Sequence, residues 1–454
     1  MLVAELEGGL LRGEQVAGSE LVLQELRRTI RDSGRPAKRI GNAARLFFAP
    51  VEPFLVEDAA DHRRIGRLAR VSLEPIWEWI SRDLMPAEAK ALGEDTNRAL
   101  SADDGVKADQ LTHALHERAI RRIKEAIAAV GGDEKARRRL SVQVGTPRAL
   151  EDIGTLVRIL AIRDELAEVA RRLPSHLRAF EREQIDHVMA LFEGLTMPRS
   201  QAPAARDADI VLFGLIQLAD RLAAPWQLIR IATHAADSDA PARIAETPYA
   251  AAVNIVLGEA ESMVGELRTE LKMRRPVTSL LRGIHDTARG LRTEMDLSVD
   301  SPWSRQLAAL RTQLSSLLKA EIESTPGRLR RLLRPRTAKE IAAGSVLDAI
   351  DVAEAEMLTE FVGACHSYAS ELAVNEVAVR TWSELQHYLE TGTKVLLDAL
   401  RHADEADRPF RQSQVDAAIR FCKAVFGADY AGLLVKAAEV AAQASAAERK
   451  PLRA

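Results

Sequence analysis

Three side chains between residues 109 and 116 have the types and spacing to do metal chemistry. Asp109, His113 and His116 fall within about 60° of one another when wound at 100° per residue. They sit on the edge of an apolar stripe formed by Leu115, Ala119, Ile123, Ile127 and Val130. A carboxylate and two imidazoles so placed can begin a site for a divalent transition metal, or a proton relay. Each also has a structural use. Asp109 offsets the positive end of its helix, His116 completes the apolar stripe with one hydrogen bond, and His113 pairs with Glu117 one turn on. No fourth ligand is visible, so the three remain candidates only; the expectation is no metal and no cofactor.

Other constellations lack parts. Glu384-Leu-Gln-His387 has the E-x-x-H spacing that puts two ligands on one helical face, but a di-metal bundle needs a second copy, and the chain has none. Cys365 and His366 are adjacent, so on a helix they point about 100° apart and cannot pair. Cys365 shares a stripe with Leu347, Ile350, Met357, Leu358, Phe361 and Tyr368, which predicts an inert core thiol. Glu354 falls on that stripe too, where a carboxylate needs water or a basic side chain from another helix. The chain has no P-loop, dinucleotide fingerprint, nucleophile elbow or H-E-x-x-H, which moves the common nucleotide-dependent and zinc-protease classes down the order.

Charge is the most informative pattern. Residues 268–339 hold sixteen Lys/Arg against seven Asp/Glu, whereas 340–379 hold eight acids and no Lys or Arg. Arg282, His285, Arg289 and Arg292 share one helical face, opposite Leu281, Ile284, Ala288, Leu291 and Met295. Arg328, Arg330, Arg331, Arg334, Arg336 and Lys339 then follow within twelve residues with no acid among them. The two blocks can neutralise each other as neighbouring helices, each pair adding ~0–1 kcal/mol. Alternatively, the basic face meets an anionic partner, or the acidic helix covers it until a partner displaces it. Trp303 is the only aromatic in the block, which favours contact with a phosphate backbone or lipid headgroups over base stacking. Gly327–Arg334 is basic and amphipathic, but two turns without an aromatic anchor poorly on a bilayer.

These residues must be positioned by helices. The 454-residue chain is 47% hydrophobic and 28% charged with a formal charge of −3, so it is not a uniformly basic nucleic-acid binder. Aromatics at 4% and modest Gly and Pro count against sandwiches, barrels, collagen and disorder. Two cysteines, neither in a C-x-x-C pair, predict a reducing compartment. The start, MLVAELEGGLLRGEQ, lacks a basic and apolar leader, and the longest apolar run, Ile210–Ile216, is far short of the ~20 residues needed to span a bilayer. The location expected is therefore cytoplasmic, with any membrane contact peripheral.

The 3.6-residue period predicts helices at about 104–130, 147–172, 175–192, 208–237, 248–273, 277–297, 302–324, 345–372, 375–404, 412–426 and 428–446. Thr146-Pro147, Thr247-Pro248 and Ser301-Pro302 read as capped starts, and Thr337–Glu340 and Ser345–Asp348 as capping boxes. Pro75 and Pro225 should kink or divide their helices. Trp303, Leu307, Leu310, Leu314 and Leu317 form a coiled-coil-like seam of two heptads. The helix at 248–273 opposes an apolar stripe with a small one (Ala251, Asn254, Gly258, Ser262, Gly265), as expected of a helix with neighbours on two faces.

The fold class expected is all-α: an elongated multi-helix assembly of antiparallel bundles with short coiled-coil-like seams. Its divisions are an N-terminal helical region (1–193), a Pro/Ala-rich linker (194–209), a central bundle with the basic face (210–323), a basic joint (324–344) and a C-terminal bundle (345–454). By elimination, the function expected is a non-enzymatic cytoplasmic interaction or scaffold protein binding a protein partner. The alternatives are a binder of nucleic acid or an anionic membrane surface through 268–339, and an enzyme with a site near Asp109, His113 and His116. The oligomeric state is not legible.

Overall fold

The computed structural model describes residues 42–57, 64–101, 105–196 and 204–447. Expectations placed on 1–41, on 197–203 of the linker and on 448–454 lie outside the described residues. Among the described residues the protein is all-α, with nineteen α-helices and a single pair of two-residue strands. None of these helices is long and apolar enough to cross a membrane.

Packing divides the described residues into two compact units, one drawn from 42–49 and 72–150, the other from 50–71 and 151–447. The first contains α1 (Asn42–Phe48), α2 (Leu73–Trp79), a π-helical turn (Ile80–Leu84), α3 (Pro86–Ser101), α4 (Gly105–Val130) and α5 (Glu134–Val144). Its core gathers Phe47, Ile76, Trp79, Ile80, Met85, Ala119 and Ile123. Pro75 is the third residue of α2, where no intrahelical donor is required, so it does not divide that helix as the sequence suggested.

In the second unit, β1 (Leu55–Val56) and β2 (Leu68–Ala69) pair in parallel, Leu55 opposite Leu68. The Ala69 N–H donates to the buried Asp152 carboxylate at 3.1 Å, tying the pair to α6 (Pro147–Ala161). There follow α7 (Arg163–Arg172), α8 (Arg182–Thr196), α9 (Ala204–Ala219), α10 (Ile229–Ala236), α11 (Pro241–Ala245), α12 (Ala250–Lys272) and α13 (Thr278–Glu294). The last six helices are α14 (Pro302–Leu333), α15 (Ala349–Ser367), α16 (Ala369–Leu372), α17 (Asn375–Arg401), α18 (Arg408–Phe426) and α19 (Ala428–Ala447). The long α14 packs on α12, α15 and α17, while α17, α18 and α19 pack on one another. Gly290 on α13 is a required close approach, because a Cβ there would meet the Trp226 ring at 2.4 Å.

Several boundaries differ from the sequence expectations. Pro225 does divide its helix, starting a 3-10 turn (Pro225–Leu228) between α9 and α10. The helix expected to end at 324 runs through Pro326 to Leu333, because Leu329, Leu332 and Leu333 continue the buried stripe of Leu318 and Ile322. Three buried leucines at ~1.5–3 kcal/mol each outweigh the ~3 kcal/mol that an internal proline costs. Within α14 the seam leaves the heptad after Leu314, since Leu318 rather than Leu317 is fully buried. A straight helix of 3.6 residues per turn drifts off a 3.5 repeat in that way.

Ser301 caps α14 as expected and, beyond that, forms a capping box with Ser304, and Thr146 Oγ1 accepts from the Ala149 N–H at 3.0 Å. Thr247 does not cap; its hydroxyl donates to the Ile244 carbonyl, and α12 begins only at Ala250. At the start of α15, Asp348 caps in place of Ser345, accepting from the Ile350 N–H at 2.7 Å. Ile350, in that capped first turn, is 77% exposed rather than part of the buried stripe. On α12 the apolar face is buried, and the small face is buried at Gly258, Ser262 and Gly265 but exposed at Asn254. Asn254 accepts from Trp303 Nε1 (2.7 Å) and Ser262 from Arg64 Nε (2.8 Å).

Candidate functional site

The α4 residues come first. Helix α4 turns Leu115, Ala119 and Ile123 into the core of the first unit and carries His116 in with them. His116 Nε2 lies 2.8 Å from the Phe47 carbonyl, and the ring packs on Phe47 at 4.9 Å. A carbonyl only accepts, so Nε2 carries a proton and donates it. This contact joins α4 to α1. His113 is half-buried with its ring 6.4 Å from that of His116, and Asp109 is exposed. Among the described residues, no group of three or more His, Cys, Asp or Glu is placed to hold a metal ion.

The C-terminal constellations are separated by the fold. Glu384 accepts from Arg330, whereas His387 is exposed. Cys365 is fully buried, and burial pushes its thiol well above the ordinary range. The neighbouring His366 stacks on Trp382 at 5.5 Å.

The basic block is where the structure adds most. Glu354 on α15 lies between Arg274, at the end of α12, and Arg328 on α14, and pairs with both. Arg274 takes a left-handed conformation (φ 53°), which a non-glycine residue rarely adopts. A cavity of about 20 Å³, room for a single water, lies against this cluster. Arg292 on α13 donates to both carboxylate oxygens of Glu371 on α16 at 3.0 Å. Arg330 pairs with Glu384 and lies over the Tyr388 ring at 5.7 Å. Arg334 reaches Glu340 at 3.2 Å. Arg336 lies over the Phe410 ring at 4.7 Å.

The other cations of the block are differently placed. Arg282 has only Asp286 on its own helix, at 3.8 Å. Arg289, Arg331 and Lys339 are exposed, with no ion-pair partner among the described residues. His285 stacks on Tyr368 at 4.6 Å. The nine basic residues singled out in the sequence therefore do not form one open face. Arg292, Arg328, Arg330 and Arg334 are held by carboxylates drawn from 340–384.

Two features were not singled out in the sequence. An open groove of about 440 Å³ lies between Arg64, Gly66, Glu151, Gly154, Thr155 and Arg158. Both of its arginines are engaged, Arg64 with Glu259 at 3.3 Å and Arg158 with Asp209 at 2.6 Å. The second feature is the outer side of α19. Ala431, Ala438 and Ala441 are buried, while Leu433, Val435 and Val440 are 65%, 43% and 60% exposed. Leu433 and Val440 are seven residues apart and so share a stripe. The signal for it was an Ala/Leu/Val-rich segment with apolar residues on more sides than one inner face can take.

No family model matches the chain, and no curated protein or solved structure is significantly similar to it.

Proposed function

We propose that the protein is a non-enzymatic helical interaction or scaffold protein that docks a protein partner on the outer stripe of α19. The observation that supports this is the exposure of Leu433 and Val440 on a helix whose inner face is already packed. Apolar side chains seven residues apart on one helix are the anchors a partner helix or groove uses. The two cysteines, Cys365 and Cys422, are free and buried, in keeping with a cytoplasmic setting. Binding of an anionic surface through 268–339 stands second. Once the engaged arginines are set aside, its exposed cations without an ion-pair partner among the described residues (Arg268, Lys272, Arg289, Lys319, Arg331 and Lys339) are scattered over the whole stretch.

The test is affinity purification of the tagged full-length chain beside its Leu433→Glu/Val440→Glu variant. A protein should accompany the parent in fixed ratio and be lost from the variant, with helix content unchanged. An identical set of companions on both, or none on either, contradicts the proposal.

A further inference from the structure

A second concentration of basic residues lies outside the block discussed above, in the first unit. Residues 118–139 hold eight Lys/Arg against three Asp/Glu, a net of +5. They occupy the C-terminal half of α4 and the start of α5, joined by Gly131-Gly132-Asp133. Gly131 supplies the positive φ (50°) that reverses the chain, and Asp133 caps α5 by accepting from the Lys135 N–H at 2.9 Å. Burial of Ala119 and Ile123 on α4 forces Arg118, Arg121 and Lys124 to the solvent side. On α5, burial of Leu140 and Val144 does the same for Lys135 and Arg139, while Arg137, on the side of Leu140 but one turn nearer the helix start, is also exposed.

The three acids do not neutralise them. Glu125 takes Arg122 at 3.4 Å and Glu134 takes Arg138 at 3.3 Å, both at exposed positions. Asp133 is engaged in its cap. That leaves Arg118, Arg121, Lys124, Lys135, Arg137 and Arg139 with no carboxylate in ion-pair reach among the described residues. Six like charges on one short hairpin repel one another. Their chemistry suits a polyanion. Four of the six are arginines, whose planar fork matches a phosphate bidentately.

The hairpin also indicates which polyanion. Residues 105–144 contain no Phe, Tyr or Trp, so there is no platform on which unpaired bases could stack. For the same reason there is no aromatic anchor for a bilayer; the exposed large apolar side chains of α4 and α5 are Val106, Ile127 and Val142. A rigid pair of helices does offer cations at fixed spacing to an equally regular row of phosphates. We propose that the α4–α5 hairpin binds the phosphate backbone of double-stranded nucleic acid, without reading its sequence.

The experiment is fluorescence anisotropy of the full-length protein with labelled duplexes of mixed sequence, one DNA and one RNA, over about 50 to 200 mM salt. Anionic phospholipid vesicles serve in a parallel flotation assay. Duplex binding should weaken steeply with salt, with a log–log slope of roughly −3 to −5 for four to six phosphates contacted. The Arg118→Gln/Arg121→Gln/Arg137→Gln/Arg139→Gln variant should lose at least about tenfold in affinity and flatten that slope by roughly 3. The matching Arg→Lys variant should keep the slope, which separates lost charge from lost fold. Arg289→Gln/Arg331→Gln should stay within about twofold of the parent. A preference between the DNA and RNA arms names the source of the duplex. The proposal is overturned if neither duplex binds at about 50 mM salt, if Arg289→Gln/Arg331→Gln abolishes binding as well, or if only vesicles bind.

Discussion

In the block 268–339 arginines reach carboxylates on neighbouring helices, whereas on the α4–α5 hairpin six cations face solvent with no carboxylate in reach. In sequence the first region is the more basic, net +9 against +5. In the fold the free charge is denser on the hairpin, where the six unpaired cations lie within residues 118–139. In the first region 340–379 supplies acids, and the exposed cations without an ion-pair partner among the described residues (Arg268, Lys272, Arg289, Lys319, Arg331 and Lys339) are spread over 268–339. Net charge along a chain is thus a poor guide to a charged surface until the partner of each side chain is known.

The sharpest way to break this contrast is at Glu354. Replacing it with Ala removes the carboxylate shared by Arg274, which is 56% exposed, and Arg328, which is 25% exposed and keeps only Glu321 at 3.8 Å. The cost should be about 1–3 kcal/mol of unfolding free energy, read from urea denaturation of the full chain. A change under about 0.5 kcal/mol would mean that the two blocks merely lie side by side. The next effect is smaller. A double-mutant cycle on Arg292 and Glu371 should give a coupling of about 0.5–1 kcal/mol, because Arg292 is half exposed and solvent screens the pair. On the hairpin, Arg118→Gln and Arg137→Gln should each stay within about 0.5 kcal/mol of the parent, since neither side chain has a partner to lose.

The smallest effect is a pH dependence at the edge of the block. The Glu340 carboxyl lies below the usual glutamate range, first because the Thr337 backbone N–H donates to it and then because the Thr337 hydroxyl does. A lowered folded pKa gives stability that is present above the ordinary glutamate value and lost as pH falls through the lowered one. Protection of the Thr337 amide against hydrogen exchange should therefore hold from neutral pH down to the carboxylate range and fall below it. Glu340→Gln should remove that pH dependence.

Helices were legible wherever a cap and a buried stripe agreed, as at Ser301-Pro302 with Trp303, Leu307, Leu310 and Leu314. They were misjudged where tertiary burial overrode a local stop signal, as when Leu329 and Leu332 carried α14 through Thr325-Pro326-Gly327. The expectation that Glu354 needs a basic side chain from another helix came from burial alone. Its partners could not be named, because Arg274 depends on a left-handed turn that nothing local signals. Arg292 and Glu371 are 79 residues apart and carry no local pattern linking them. The hairpin arginines were visible in sequence, but that Arg122 and Arg138 have carboxylate partners while the other six cations have none among the described residues is decided only by the fold.

The contrast between the two basic regions is tested most directly by the salt concentration at which the full-length chain elutes from heparin, for the parent and two quadruple variants. Arg118→Gln/Arg121→Gln/Arg137→Gln/Arg139→Gln should elute far earlier than the parent while remaining as stable. Arg328→Gln/Arg330→Gln/Arg331→Gln/Arg334→Gln should elute close to the parent but unfold at lower urea. Early elution of the second variant with unchanged elution of the first would show that the 268–339 block, not the hairpin, carries the free charge, and would contradict the account.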